Sequence, residues 1–268
     1  MTDYAKMTFA EGKMLAEVDD GVGLITFNQP AKRNAMSVAM WTGMSEILDL
    51  FEADASVRVV ILTGAGPKAF VSGADISQFE SQRSNADAQV EYDRLTSAGR
   101  DRLAGFPKPV IARIRGFCLG GGLGIAMQAD IRIAAVDSEF GIPAARLGIG
   151  YGLGMTQKLV DLVGPAHAKM MLFTGKRIDA TEAARIGLIN QVTTDEDLSD
   201  VVVEIARQIA DNAPLSILAG KQIVAETLKG TPDRALADSL VATCFDSADY
   251  REGRQAFMEK RAPKFVGR

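Results

Sequence analysis

The 268-residue sequence is long enough for one large domain, and its 47% apolar content supports a substantial hydrophobic core. A formal net charge of −4 and an aromatic content of only 6% argue against a nucleic-acid-binding surface. Two cysteines and one histidine exclude a disulfide framework and the usual zinc sites, and no apolar stretch approaches the length of a membrane span. We therefore expect a cytoplasmic protein that binds no metal, no nucleic acid and no membrane.

The first part of the chain predicts alternating strands and helices. In chain order these are an extended lead-in at 1–12, strands at 14–18 and 22–27, a helix at 37–54 and a strand at 57–63. Asp20-Gly21 between the first two strands indicates a hairpin. Ser37 is a plausible N-cap of the helix. The apolar stripe of that helix predicts core packing rather than a ligand surface, and it consists of Trp41, Met44, Leu48 and Phe51.

A glycine run lies at the centre of the chain. The strand-like run 110–114 leads into Gly120-Gly121-Gly122, and a short apolar helix is predicted from Leu123 to Ala129. Such a run can be a tight turn that packs a helix against a sheet. It can also be an anion-binding helix start, whose free N–H groups hold a transient oxyanion. Upstream, the polar stretch 76–85 is either a mobile lid or a plain surface loop.

In the second half of the chain the alternation of strands and helices gives way to helices alone near residue 195. The prediction gives a strand at 131–135, helices at 156–163 and 166–173, and a capping box that opens a short helix, Asp179-x-x-Glu182. From Leu198 onward apolar residues recur at helical spacing, and further helices follow from Pro214, at 235–244 and at 251–260. We therefore place a boundary near residue 195, which gives two regions, 1–195 and 196–268.

Several motifs together resemble one protein family. The run Ala69-Phe70-Val71-Ser72-Gly73-Ala74-Asp75-Ile76 precedes the triple glycine, and further blocks lie at 28–36, 140–148, 154–159 and 174–192. Each block alone is weak, but their order is specific. The set, spread over roughly residues 13–262, resembles the crotonase (enoyl-CoA hydratase/isomerase) superfamily.

This resemblance implies a fold and a substrate. The fold would be α/β, with a ββα spiral in residues 1–195 and a helical C-terminal region, 196–268, that packs around a trimer interface. The partners would be other copies of the chain, in a homotrimer or a dimer of trimers. The substrate would be an acyl-CoA thioester. Coenzyme A would therefore enter as part of the substrate, and no separate cofactor is implied.

The resemblance also carries site positions onto this sequence. Two backbone N–H groups, those of Ala74 and Gly121, would hold the thioester carbonyl oxygen and stabilise the charge that it gains during reaction. The other positions placed on the coenzyme are Lys32, Ala35, Asp75, Ile76 and Lys260. Either lysine can instead be a solvated surface residue. The Asp75 side chain is expected to order its own loop rather than act as a base.

The sequence departs from the family at the acid–base positions. Enoyl-CoA hydratases of the family carry two glutamates that handle the added water, and the matching positions here are Gly124 and Ala144. Neither residue can transfer a proton, so ordinary hydration is unsupported. Tyr151 is a candidate catalytic residue in their place, although it can also be a packed, hydrogen-bonded loop tyrosine.

Two function hypotheses from different classes remain. The first is an enzyme acting on acyl-CoA: a lyase of the hydratase type, an isomerase, or a decarboxylase or hydrolase that uses Tyr151 or another polar group. The second is a catalytically inactive acyl-CoA-binding protein. They differ in whether a proton-transferring side chain reaches the acyl carbons.

Overall fold

The computed structural model of the chain describes residues 6–75 and 86–268. Eleven strands lie in these ranges: β1 Met7–Phe9, β2 Met14–Asp19, β3 Val22–Phe27, β4 Val59–Gly64, β5 Ala69–Val71, β6 Val110–Ile114, β7 Phe117–Leu119, β8 Ile131–Ala135, β9 Glu139–Gly141, β10 Ile178–Asp179 and β11 Gln191–Thr193. The same ranges contain nine α-helices: α1 Val38–Ala53, α2 Ala86–Ala104, α3 Gly121–Gln128, α4 Leu153–Thr174, α5 Ala180–Arg185, α6 Leu198–Ala210, α7 Pro214–Thr227, α8 Arg234–Asp246 and α9 Ala248–Glu259.

A seven-stranded sheet forms the base of the fold, in the order β1-β2-β3-β4-β6-β8-β11. The first three strands are antiparallel, and β3, β4, β6, β8 and β11 run parallel. The predicted hairpin is confirmed: β2 and β3 pair across Asp20 and Gly21, whose φ angles of 44° and 80° are left-handed. The predicted lead-in contains a strand that sequence reasoning missed, since Met7 pairs with Ala16.

Both faces of this sheet are buried. In β4, Val60 and Leu62 face the larger core, which also contains the four residues of the predicted stripe on α1. Val59 and Ile61 face the opposite way, onto α6. This double burial explains why β4 is an almost uninterrupted apolar run. The Ser37 hydroxyl accepts a hydrogen bond from the Met40 N–H at 3.4 Å, which confirms the predicted N-cap.

A second sheet of four short strands lies beside the first, in the order β10-β9-β7-β5. Parallel pairing joins β5 to β7 and β7 to β9. Sequence reasoning did not predict this sheet, because strands of two or three residues are too short to show an alternating pattern. It matters for function, since β5 precedes Ala74 and β7 precedes the triple glycine.

The remaining helices agree with the predicted outline. The two helices expected at 156–173 form α4, which is kinked at Gly164, where φ is 73° and Pro165 follows. Asp179 caps α5 by accepting from the Glu182 N–H at 2.8 Å, as the capping box predicts. The predicted mixed α/β architecture with a helical C-terminal region is confirmed. The stretch 76–85, interpreted above as a lid or a surface loop, lies outside the described residues.

Candidate active site

The structure brings the predicted catalytic residues to one cavity of about 300 Å³. Ala74 and Gly121 line one part of it, and Tyr151 lines another. Gly124 and Ala144, the two positions that the family resemblance matches to the hydratase glutamates, also line this cavity. Five positions spread over nearly eighty residues of sequence therefore share one space.

The backbones of Ala74 and Gly121 adjoin each other. A Cβ atom built on Gly121 would lie 3.8 Å from the Ala74 nitrogen and 3.9 Å from the Gly73 carbonyl carbon. Gly121 is the first residue of α3, so its N–H has no partner within the helix. Neither the Ala74 N–H nor the Gly121 N–H donates a hydrogen bond to any residue within 6–75 or 86–268. Two unpaired amide donors thus lie at one end of the cavity.

Unusual backbone conformations place these two amides. Gly73 precedes Ala74 with φ of 121°, and Gly120 precedes Gly121 with φ of 53°. Both φ angles are positive, and residues other than glycine rarely adopt such angles. The Gly120 N–H donates to the Gly141 carbonyl oxygen at 2.8 Å, which ties the helix start to the small sheet. The backbone conformation before each of the two amides therefore requires glycine.

The segment before α1 holds the backbone around Ala74 in place. Met36 forms a parallel bridge with Ala74: the Met36 N–H donates to the Gly73 carbonyl oxygen at 2.8 Å, and the Asp75 N–H donates to the Met36 carbonyl oxygen at 2.9 Å. These two bonds use the Gly73 carbonyl group and the Asp75 N–H group, on either side of Ala74. The Ala74 N–H between them is left available to the cavity.

Asn34 is a buried residue that holds this segment in place, and sequence reasoning did not single it out. Its Oδ1 accepts from the Gln29 N–H at 2.9 Å, and its Nδ2 donates to the carbonyl oxygens of Ala65 and Ala69 at 3.0 and 2.8 Å. Its φ of 56° is one that asparagine tolerates better than most residues. The sequence feature that could have indicated this role is the position of Asn34 inside the family-like block 28–36.

We expect Asn34→Ala to lower the free energy of unfolding by roughly 3 kcal/mol, because it leaves the buried Ala69 carbonyl oxygen and the partly buried Gln29 N–H and Ala65 carbonyl oxygen without their partner. Urea titration of the variant measures this loss. The exposed amide variant Gln208→Ala is the matched control and should change stability by less than about 0.5 kcal/mol. Equal stability of Asn34→Ala and the parent would contradict the supporting role of Asn34.

The space at the first lost glutamate position is filled by other side chains. A Cβ atom on Gly124 would fall inside van der Waals contact with the Met155 Cε methyl and would lie 3.7 Å from the Tyr151 hydroxyl oxygen. Gln128 donates from Nε2 to the Met155 sulfur at 3.6 Å and lines the same cavity. A thioether and a phenol thus occupy the space beside Gly124.

The Tyr151 hydroxyl is buried and makes no hydrogen bond with any of the described residues. The packing that the alternative interpretation of Tyr151 expects is therefore present, but its hydrogen-bond partner is not found among the described residues. Burial raises the pKa of Tyr151, so the hydroxyl keeps its proton at neutral pH and can act as a donor. A buried donor without a partner in a cavity wall is a group that a ligand can satisfy.

The remaining charged residues of the cavity lie at its edge. Arg100 Nη1 and Asp93 Oδ1 are 3.3 Å apart, and their side chains are 34% and 51% exposed. Both are on α2 and line the cavity. Asp93 is the one carboxylate among the described lining residues, and it is half-exposed and paired.

Among the described residues, the other predicted coenzyme positions are not part of the cavity lining. Lys32 Nζ lies 2.7 Å from Asp75 Oδ2, and this contact favours the interpretation that Asp75 orders its loop. Ala35 is buried next to Met36, and Lys260 is exposed after the last helix with φ of 54°. Ile76 lies outside the described residues.

Over 6–75 and 86–268, no three His, Cys, Asp or Glu side chains lie close enough together to hold a metal ion. Within these limits, no helix has both the length and the apolarity needed to cross a bilayer.

The chain is similar to known proteins in both sequence and fold over most of its length. The profile of the Enoyl-CoA hydratase/isomerase family matches residues 17–268. Short-chain-enoyl-CoA hydratase of Clostridium acetobutylicum is 40% identical over 250 residues, or 92% of this chain and 95% of that protein. Crotonyl-CoA hydratase of Syntrophomonas wolfei is 37% identical over 95% of this chain and 98% of that protein. A crystal structure of an enoyl-CoA hydratase/carnithine racemase from Magnetospirillum magneticum has a TM-score of 0.92 at 36% identity, with 96% of each chain covered.

Proposed function

Since the chain belongs to the enoyl-CoA hydratase/isomerase family, we propose that it binds an acyl-CoA thioester with the carbonyl oxygen on the N–H groups of Ala74 and Gly121. One observation carries this proposal. Two amides without partners among the described residues adjoin at one end of a cavity, with the Ala74 nitrogen 3.8 Å from a Cβ position on Gly121.

The chemistry that two such donors support is enolate formation. When electrons move toward the carbonyl of a thioester, negative charge collects on its oxygen. Preorganised N–H donors in a cavity that excludes water stabilise that charge, and each is typically worth about 3 kcal/mol. Because the donors belong to the backbone, the side chains of Ala74 and Gly121 contribute nothing chemical. What the fold must fix is the backbone conformation of these two residues, which orients their N–H groups.

The same site is poorly suited to adding water. Hydration requires one group to take a proton from water and another to deliver a proton to carbon. Gly124 and Ala144 can do neither, and Met155 fills part of the space at the first position. The proposed activity is therefore thioester enolate chemistry in which the Tyr151 hydroxyl is the available proton donor, rather than hydration by paired carboxylates.

Assembly with other copies of the chain belongs to the same proposal. The C-terminal helices carry large exposed apolar side chains: Phe245 is 59% exposed, Phe257 86% and Met258 80%. Phe245 and Phe257 belong to α8 and α9, and all three line one groove with Cys244 and Phe265. An apolar surface of this kind favours burial against another subunit, in the proposed homotrimer or dimer of trimers. The cytoplasmic location stays a prediction.

The second candidate function is acyl-CoA binding without catalysis, which the loss of both glutamates favours. Two measurements on the purified protein test the thioester site and the slow hydration that both candidates share, and turnover of a thioester without hydration would separate the enzyme from the inactive binder. Calorimetry with crotonyl-CoA, and with free coenzyme A as control, should show tighter binding of the thioester. Loss of the conjugated thioester absorbance should be slower than in a two-glutamate hydratase by on the order of 10⁴-fold or more, since each missing group is worth about 10²–10⁴.

Two results would overturn the proposal. Equal binding of crotonyl-CoA and free coenzyme A would remove the role of the two amides, because they contact only the acyl carbonyl. Hydration at the rate of a two-glutamate enzyme would show that the site handles water by groups other than those described above.

A further inference from the structure

We infer that this site decarboxylates an α-carboxyacyl thioester of the malonyl class, and that Tyr151 delivers a proton to the α-carbon. The inference rests on the proposed function, because it uses the same two amides. It adds the substrate class and the direction of proton transfer.

Among its described residues, the cavity lacks a buried side chain that could act as a base. Hydration, double-bond isomerisation and thioester hydrolysis each need a base that removes a proton from water or carbon. Asp93 is the only described carboxylate in the lining, and it is half-exposed and paired with Arg100. The described part of the lining therefore offers an oxyanion site and a proton donor, but no buried base.

Decarboxylation is the enolate reaction that needs no base. The bond between the α-carbon and the carboxylate breaks, carbon dioxide leaves, and the electron pair moves through the α-carbon to the thioester oxygen. The N–H groups of Ala74 and Gly121 hold that oxygen. The α-carbon then takes the proton of the Tyr151 hydroxyl, and the phenolate is reprotonated by water. The net change is loss of carbon dioxide and uptake of one proton, with no oxidant or reductant.

The cavity wall favours this movement of charge. Much of the described lining is apolar, and its larger apolar side chains are Met36, Trp41, Leu103, Ile125, Ile142, Leu147, Ile149 and Met155. A carboxylate that enters loses hydration, which is unfavourable unless hydrogen bonds replace it. The negative charge is more stable on the thioester oxygen than on the carboxylate, because two N–H groups donate hydrogen bonds to that oxygen. Moving charge from a poorly solvated carboxylate to a prepared oxyanion site lowers the barrier.

The position of Tyr151 fits the second half of the reaction. Its hydroxyl oxygen lies 3.7 Å from a Cβ position on Gly124, which is one turn along α3 from Gly121. Gly124 is the position that the family resemblance matches to the first hydratase glutamate, so the Tyr151 hydroxyl lies beside the position of that proton-transferring group. The hydroxyl is buried and without a partner among the described residues, so no protein group competes for its proton.

The test uses the full-length protein with malonyl-CoA and methylmalonyl-CoA as probes. We expect acetyl-CoA and propionyl-CoA to form together with an equal amount of carbon dioxide, and, in D₂O, with one deuterium at the α-carbon. Tyr151→Phe should lower the rate by about 10²-fold or more, the usual contribution of a general acid, without changing the affinity for malonyl-CoA. Tyr250→Phe, outside the cavity, is the matched control and should react like the parent.

The outcomes are distinguishable from failure of the proposed function. Binding of malonyl-CoA and crotonyl-CoA without carbon dioxide release above the uncatalysed rate would overturn the decarboxylation and leave the thioester site standing. Decarboxylation that is unchanged in a correctly folded Tyr151→Phe variant would overturn the assignment of the proton donor. Failure to bind either thioester more tightly than free coenzyme A would overturn both proposals.

Discussion

Gly122→Ala is expected to lower the free energy of unfolding by about 3 kcal/mol or more, the upper part of the range for overpacking a close contact. A Cβ atom at Gly122 would fall far inside van der Waals contact with the Val71 carbonyl oxygen and carbonyl carbon. Those atoms are backbone atoms of β5, so they cannot rotate away as a side chain can. Because β5 leads to Ala74, any adjustment would also separate the two amides. Urea unfolding of the variant measures the expected loss.

Gly121→Ala is the matched control for this effect, since it adds the same methyl group one residue earlier. Its nearest neighbour would be the Ala74 nitrogen at 3.8 Å, which is ordinary contact, so stability should change by less than about 1 kcal/mol. Turnover of the thioester should nevertheless fall by about 10²-fold, because the methyl displaces the acyl oxygen between the amides. Equal stability losses for the two variants would contradict the packing account.

Restoring both lost carboxylates is the second change with a large expected effect. In a Gly124→Glu/Ala144→Glu/Met155→Ala variant, hydration of crotonyl-CoA should rise by at least about 10²-fold, since the pair could then move both protons that hydration requires. Met155 is included because its methyl occupies the space beside Gly124. Spectrophotometric loss of the enoyl thioester measures the gain.

The variant that keeps Met155 is the control for this experiment. In Gly124→Glu/Ala144→Glu the new side chain at position 124 would contact the Met155 methyl, so its carboxylate should be displaced and the gain smaller. If the triple variant binds crotonyl-CoA but hydrates it no faster than the parent, then the missing glutamates do not account for the lack of hydration.

The long elements of the fold could be predicted from the sequence because their patterns extend over many residues. The stripe on α1 and the apolar run of β4 are each unambiguous, and the structure buries both. The small sheet could not be predicted, since strands such as β10, with two residues, carry no periodic signal. Its pairing of β5 with β7 is nevertheless what brings Ala74 toward Gly121.

The chemistry of the site was predictable in part, through motif positions rather than contacts. The motifs placed Ala74, Gly121, Gly124, Ala144 and Tyr151 near one substrate, and all five line one cavity. Sequence spacing could not show that Met155 fills the space beside Gly124, or that the Tyr151 hydroxyl has no partner among the described residues. Both facts depend on side-chain directions set by tertiary packing, and they underlie the inferred change from hydration to decarboxylation.

The most direct test of the account is a crystal structure with a non-reactive acyl-CoA analogue that keeps the carbonyl group. We predict that the carbonyl oxygen lies about 2.7–3.1 Å from the nitrogens of both Ala74 and Gly121, the distance at which oxyanion donors act. A carbonyl oxygen that contacts neither nitrogen, with the acyl group outside the cavity, would contradict the account.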